Sequence, residues 1–110
     1  MIIPSALPDF NPDFNQDPYA SLKKVLDMAL DQAANGKGKE RHVFVEDQPF
    51  EQQDICEYVR IFGHGFTRGQ ASKKIKESAR MNNPAAIREL LGAINYLAAD
   101  IIIMLEESDS

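Results

Sequence analysis

Apolar residues recur at helical spacing in four segments of the chain and alternate with polar ones in a single short segment. Between residues 18 and 35, Leu22, Val25, Leu26, Ala29, Leu30 and Ala33 form one stripe. Asp17 before Pro18 predicts the cap and first position of this helix, and Gly36 its stop. A second helix is predicted over 49–62, opened by Asp47 or Gln48, with Phe50, Ile55, Val59 and Phe62 inward and Gly63 as its end. A third, over 68–81, has few apolar positions, mostly small: Ala71, Ile75 and Ala79. Thr67 and Gln70 stand at the spacing of a capping box at its start. A helix so poor in large side chains must either approach its neighbour closely or be half buried.

The fourth helix, over 84–106, carries the clearest pattern. Asn83 is its expected cap and Pro84 its first residue. The stripe Ile87, Leu90, Leu91, Ile94, Leu97, Ala98, Ile101 and Leu105 runs through six turns. Ala85, Gly92 and Ala99 recur every seven residues on another side, a smooth seam for a closely packed helix. Beyond Tyr96 the segment is apolar nearly all round through "IIIML", as in a helix that is central or shared between subunits. In a chain of 110 residues the second is expected, giving a homo-oligomer through helix 84–106.

Outside these helices, "PDFNPDFN" is a tandem repeat within residues 1–16. Pro4, Pro8 and Pro12 keep that stretch extended, and Phe10 and Phe14 are spaced along it. An arm laid across its own domain or a neighbour is expected. "HVFVE" at 42–46 alternates like a strand, but it has no partner in the sequence. The fold class is therefore all-α, with about four helices, an extended arm, at most one short strand and a single domain over 17–110.

Charge sharpens this picture. The net charge is −5, yet residues 60–88 hold seven bases against one acid, a local balance of +6. Residues 1–59 carry five bases and eleven acids, and residues 89–110 carry five acids and no base. Such a division favours an anionic partner at one place and disfavours general adhesion to nucleic acid. The same division is also what an oligomer pairing acidic with basic elements would show. No apolar run reaches the roughly 20 residues of a membrane span. The N-terminal stretch lacks the basic and apolar regions of a signal peptide, so a cytoplasmic protein is expected. The lone Cys56 agrees with a reducing compartment and reads as a buried structural thiol.

The basic block opens with "FGHGFTRGQASKK". Gly63 and Gly65 fit a chain reversal with positive φ, whereas Gly69 falls in the first turn of a helix and suits close approach of a backbone or ligand. Helix N-termini attract anions, and cations placed there oppose the helix dipole unless an anion is near. The candidate ligand-binding set is therefore His64, Thr67, Arg68, Gly69, Gln70, Lys73 and Lys74. The G-x-x-x-x-G-K-[ST] phosphate loop is absent here and at "GKGK". His64 has no nucleophile beside it, and His42, His64 and Cys56 are too isolated for a metal site. The set thus predicts no catalytic residue, no metal and no cofactor.

Two resemblances accompany these residues. The blocks "GKGKERH", "PFEQQDI" and "GQASKKIKES" resemble small uncharacterised proteins of tailed phages, which implies a phage or prophage origin. An acidic helix followed by "RELLGAINYLAADII" is similar to the all-helical nucleoside-triphosphate pyrophosphatases. That family binds magnesium through E-x-x-E and E-x-x-D motifs. Glu51 and Asp54 stand for the first, but Gly92 follows Glu89 where the second needs an acid, and Asp100 lies further along. Three functions follow as expectations. The leading one is a non-enzymatic oligomeric binding protein for a small phosphate-bearing, nucleotide-type ligand, such as a phage-encoded protein that sequesters a host defence nucleotide. The second is an inhibitor that docks a host protein through its acidic surface. The third is a weak or degenerate nucleotide pyrophosphatase.

Overall fold

The computed structural model describes residues 17–36, 39 and 47–109. Over these residues the chain is helical: α1 spans Ala20–Asn35, a 3-10 turn spans Phe50–Gln52, α2 spans Asp54–Phe62, α3 spans Gly65–Ser78 and α4 spans Asn83–Ser108. No strand occurs among the described residues. The arm expected at 1–16 and the alternating segment at 42–46 lie outside them.

Each helix starts where a local hydrogen bond permits, and this moves the predicted boundaries. Asp17 supports a turn rather than α1 itself: its Oδ1 accepts from the Tyr19 N–H at 2.8 Å and its carbonyl from the Ala20 N–H at 3.0 Å. The helix predicted from 49 is interrupted by Gln53, which is extended at φ −76° and ψ 163°. Gln53 is buried there and donates through Nε2 to the Gln48 carbonyl at 2.9 Å. Gly63 ends α2 with a φ of 86°, as expected. Gly65 needs no such conformation and simply begins α3. That start is three residues earlier than predicted, so Thr67 lies inside the first turn and forms no capping box. Asn82, not Asn83, caps α4, with Oδ1 accepting from the Ala85 N–H at 3.1 Å.

α4 is the spine against which α1, α2 and α3 all pack. The larger core joins Ile55, Cys56 and Val59 of α2 to Ala71 of α3 and to Ala93, Tyr96, Ala99 and Ile103 of α4. A smaller one joins Ala29 of α1 to Leu91 of α4, with Val25, Met28, Ile87 and Ile94 around them. Fully burying side chains such as Ile55, Val59 and Ile103 contributes roughly 1.5–3 kcal/mol each.

The seam of small residues on α4 is where α3 lies. Ala99 is wholly buried, and a Cβ at Gly92 would come within 3.1 Å of the Lys74 stem. Close approach thus compensates for α3's lack of large apolar side chains. Several expected inward positions are not covered, however. Leu22, Leu26 and Leu30 of α1, Phe62 of α2, Ile75 of α3, and Leu90, Leu97, Ile101 and Leu105 of α4 are all exposed. Three helices offer α4 only part of their stripes, and the remainder stays on the surface. No helix among the described residues is long and apolar enough to cross a membrane.

Candidate functional site

The basic stretch after α2 folds onto a single carboxylate of α4. Asp100 is 5% exposed and directly follows the wholly buried Ala99. Its Oδ1 is 2.6 Å from His64 Nδ1 and accepts the Thr67 hydroxyl at 2.8 Å. Its Oδ2 accepts from Arg68 Nε at 3.1 Å. The second ring nitrogen of His64 is 2.6 Å from Glu107 Oε1. Both neighbours of the ring are carboxylates, which only accept, so this geometry is that of a doubly protonated imidazolium.

The charges in the cluster support one another. Burial pushes the Asp100 carboxyl up, but hydrogen bonds from His64, Thr67 and Arg68 outweigh it and hold the group below the usual carboxylate range. Hydrogen bonds to Asp100, then to Glu107, raise the His64 imidazolium above the ordinary histidine range. The cations that crowd the start of α3 therefore have an anion at hand, and the chain itself supplies it. A buried acid in an apolar helix requires such partners.

A second knot lies nearby. Arg60 grips Glu106 with two nitrogens, at 3.1 and 2.7 Å, and donates to the Glu51 carbonyl at 2.7 Å. Its hydrogen bond to Glu106 raises the guanidinium further and lowers the carboxyl. Burial pushes the Cys56 thiol up to about 11, against the opposing pull of Arg60. That thiol is wholly buried and inert, as a structural cysteine is.

The seven residues read as a ligand set thus fall into two groups. His64, Thr67 and Arg68 face Asp100, and Lys74 reaches Glu89 at 3.3 Å while lying 6.0 Å from the centre of the Tyr96 ring. Gly69, Gln70 and Lys73 lie outside both ion-pair clusters. Gly69 and Lys73 are exposed, and a Cβ added at Gly69 would meet nothing within 4 Å. Packing within the chain does not explain why this position lacks a side chain. Lys73, Lys76, Arg80 and Arg88 form no ion pair among the described residues.

A run of aromatic rings lies at the end of α2 and the start of α3. Phe66, Gly69 and Lys73 stand at i, i+3 and i+7 and share one side of α3. The Phe66 ring meets Tyr58 of α2 at 5.3 Å and Tyr96 of α4 at 5.9 Å, both edge-on, and Tyr58 meets Phe62 at 6.0 Å. Phe62 is 70% exposed. Exposed lysines are groups that can hold a phosphate, and an exposed ring such as Phe62 is one that can stack on a flat aromatic group.

Two parts of this arrangement differ from what the sequence leads one to expect. Asp100 is the partner of the basic stretch, and a lone acid within "LAADIII" is the signal of it. Phe62, expected in the core, is exposed, because periodicity does not show where α2 runs out of cover. Among the described residues, no group of histidine, cysteine, aspartate and glutamate side chains is arranged to hold a metal ion. No family model matches this chain, and no curated protein or solved structure matches it either.

Proposed function

We propose that the chain is a non-enzymatic, oligomeric helical binding protein for a small phosphate-bearing ligand of the nucleotide type. One observation carries this reading: Lys73 and Lys76 are exposed and in no ion pair among the described residues, on the same helix as Gly69, where a Cβ would meet nothing within 4 Å, and as Phe66, whose ring meets that of Tyr58. Lysines receive the phosphate as mobile point charges, and the rings offer their faces to a base. His64, Thr67 and Arg68 act one step back, since Asp100 holds them and they hold the start of α3 in place. Gln70 is half buried on the same helix and is suited to a single directed hydrogen bond. Holding the ligand rather than converting it is the role this patch suits, because it is made of cations, rings and backbone. We further propose a phage-encoded setting for such sequestration, the removal of a host defence nucleotide, which rests on the resemblance of the blocks "GKGKERH", "PFEQQDI" and "GQASKKIKES" alone.

The test begins with the purified protein. Denaturation followed by mass spectrometry is expected to release a bound nucleotide, and calorimetric titration then measures its affinity. Lys73→Gln with Lys76→Gln should weaken binding tenfold or more, at roughly 1.5–3 kcal/mol for a lost charge-assisted contact. Apo stability should stay unchanged, because neither lysine pairs within the described chain. Equal affinity of the double variant and the wild type for every nucleotide tried would end this assignment of the site.

A further inference from the structure

We infer that the apolar face formed by α1 and α4 is the contact through which a second copy of this chain binds, about a two-fold axis. This extends the oligomeric half of the reading above and does not depend on the identity of any ligand. The face has a concave and a convex part. A groove of about 510 Å³ opens where α1 and α4 diverge, with Leu26, Leu30 and Ala34 on one wall, Ile94, Ala98 and Ile102 on the other. Beside it rises a ridge on α4, made of Leu90, Leu97, Ile101 and Met104, each 40–57% exposed. With Ile94 these residues repeat at steps of four and three, the spacing of a helix seam that packs against another helix.

Three features select a second copy over another occupant. A two-fold contact needs a surface that carries both the knob and the hole, and this one carries both side by side. Among the described residues the groove lining includes no charged side chain, and Gln53 and Asn95 are its polar members. A chain with a net charge of −5 can therefore meet its copy in the groove without like charges being forced together, and a charged partner would find no counter-charge among the described groove residues. Leu22, Leu26 and Leu30 of α1 add to the exposed apolar residues of α4. A second copy laid over them would take this set of large apolar side chains out of water, which is the driving force for association.

The experiment is the solution mass of the full chain by sedimentation equilibrium, for the wild type and three single variants. The wild type is expected at a multiple of the chain mass. Ile101→Glu and Leu30→Glu should each weaken association at least a hundredfold while keeping the helical circular dichroism, because both side chains are exposed in the single chain. Ile75→Glu, on the exposed side of α3, should leave the mass unchanged. A one-chain mass for the wild type overturns the inference, and so does dissociation caused by Ile75→Glu but not by Ile101→Glu. A wild-type monomer that associates once residues 1–16 are deleted would assign the face to the chain's own arm, and that too overturns it. Because no ligand is added, loss of the dimer and loss of nucleotide binding are read separately.

Discussion

At the scale of single residues, His64 is the titrating member of the cluster. Its imidazolium donates to Asp100 and to Glu107, and the neutral ring can donate to only one of them. The folded state raises its proton affinity, so its contribution to stability is fully present below the unfolded pKa of about 6.5 and fades as pH rises through the higher folded value. Asp100 works the other way: its lowered carboxyl contributes above the unfolded value and is lost as pH falls through the folded one. Urea denaturation of the wild type should therefore show stability declining from mildly acidic to alkaline pH. His64→Gln, which cannot titrate, should flatten that decline. Parallel curves for the two proteins across this range would show that the ring is not the ionised link between α3 and α4.

At the scale of elements, α3 is held at its start by Asp100 and along its length by small residues on the α4 seam. Gly69 belongs to neither device. It lies in the helix with open space where a Cβ would be. Gly69→Ala should therefore stabilise the apo chain by roughly 0.5–1 kcal/mol, the usual difference in helix propensity. In the proposed function that methyl would occupy space next to the ligand, so nucleotide affinity is expected to fall while the melting temperature rises. A variant gaining both stability and affinity would show that the glycine serves no ligand.

At the scale of the whole molecule, Asp100 joins what the chain otherwise keeps apart. The acidic end of α4 and the basic start of α3 meet at its carboxylate, and Arg60 with Glu106 makes a second tie from α2 to that end. Part of the charge division along the chain is thus neutralised within the fold, and of the basic block Lys73, Lys76, Arg80 and Arg88 are in no ion pair among the described residues. Asp100→Ala would strip His64, Thr67 and Arg68 of their common acceptor. A loss of roughly 1.5–3 kcal/mol is expected in denaturant melts, the scale of hydrogen bonds to a buried charge. A melt unchanged by this variant would mean that the cluster is a surface feature without structural weight.

The sequence by itself determined the helical class, the four segments that become helices and the small-residue seam on α4. These features follow from local periodicity, from Gly63 and Pro84 as punctuation, and from side-chain size, all of which act between near neighbours in the chain. The boundaries moved by a few residues because caps are set by single hydrogen bonds: Asn82 and Asn83 are equal in the sequence, and only Asn82 reaches the Ala85 N–H. Pairing was a different matter. Whether Arg68 waits for an outside anion or holds Asp100 depends on two residues 32 positions apart, and no periodicity carries that distance. The same holds for Leu30 and Phe62, which are apolar at helical spacing yet exposed. A stripe specifies a side that must be buried; which neighbour covers it is decided only when the helices cross.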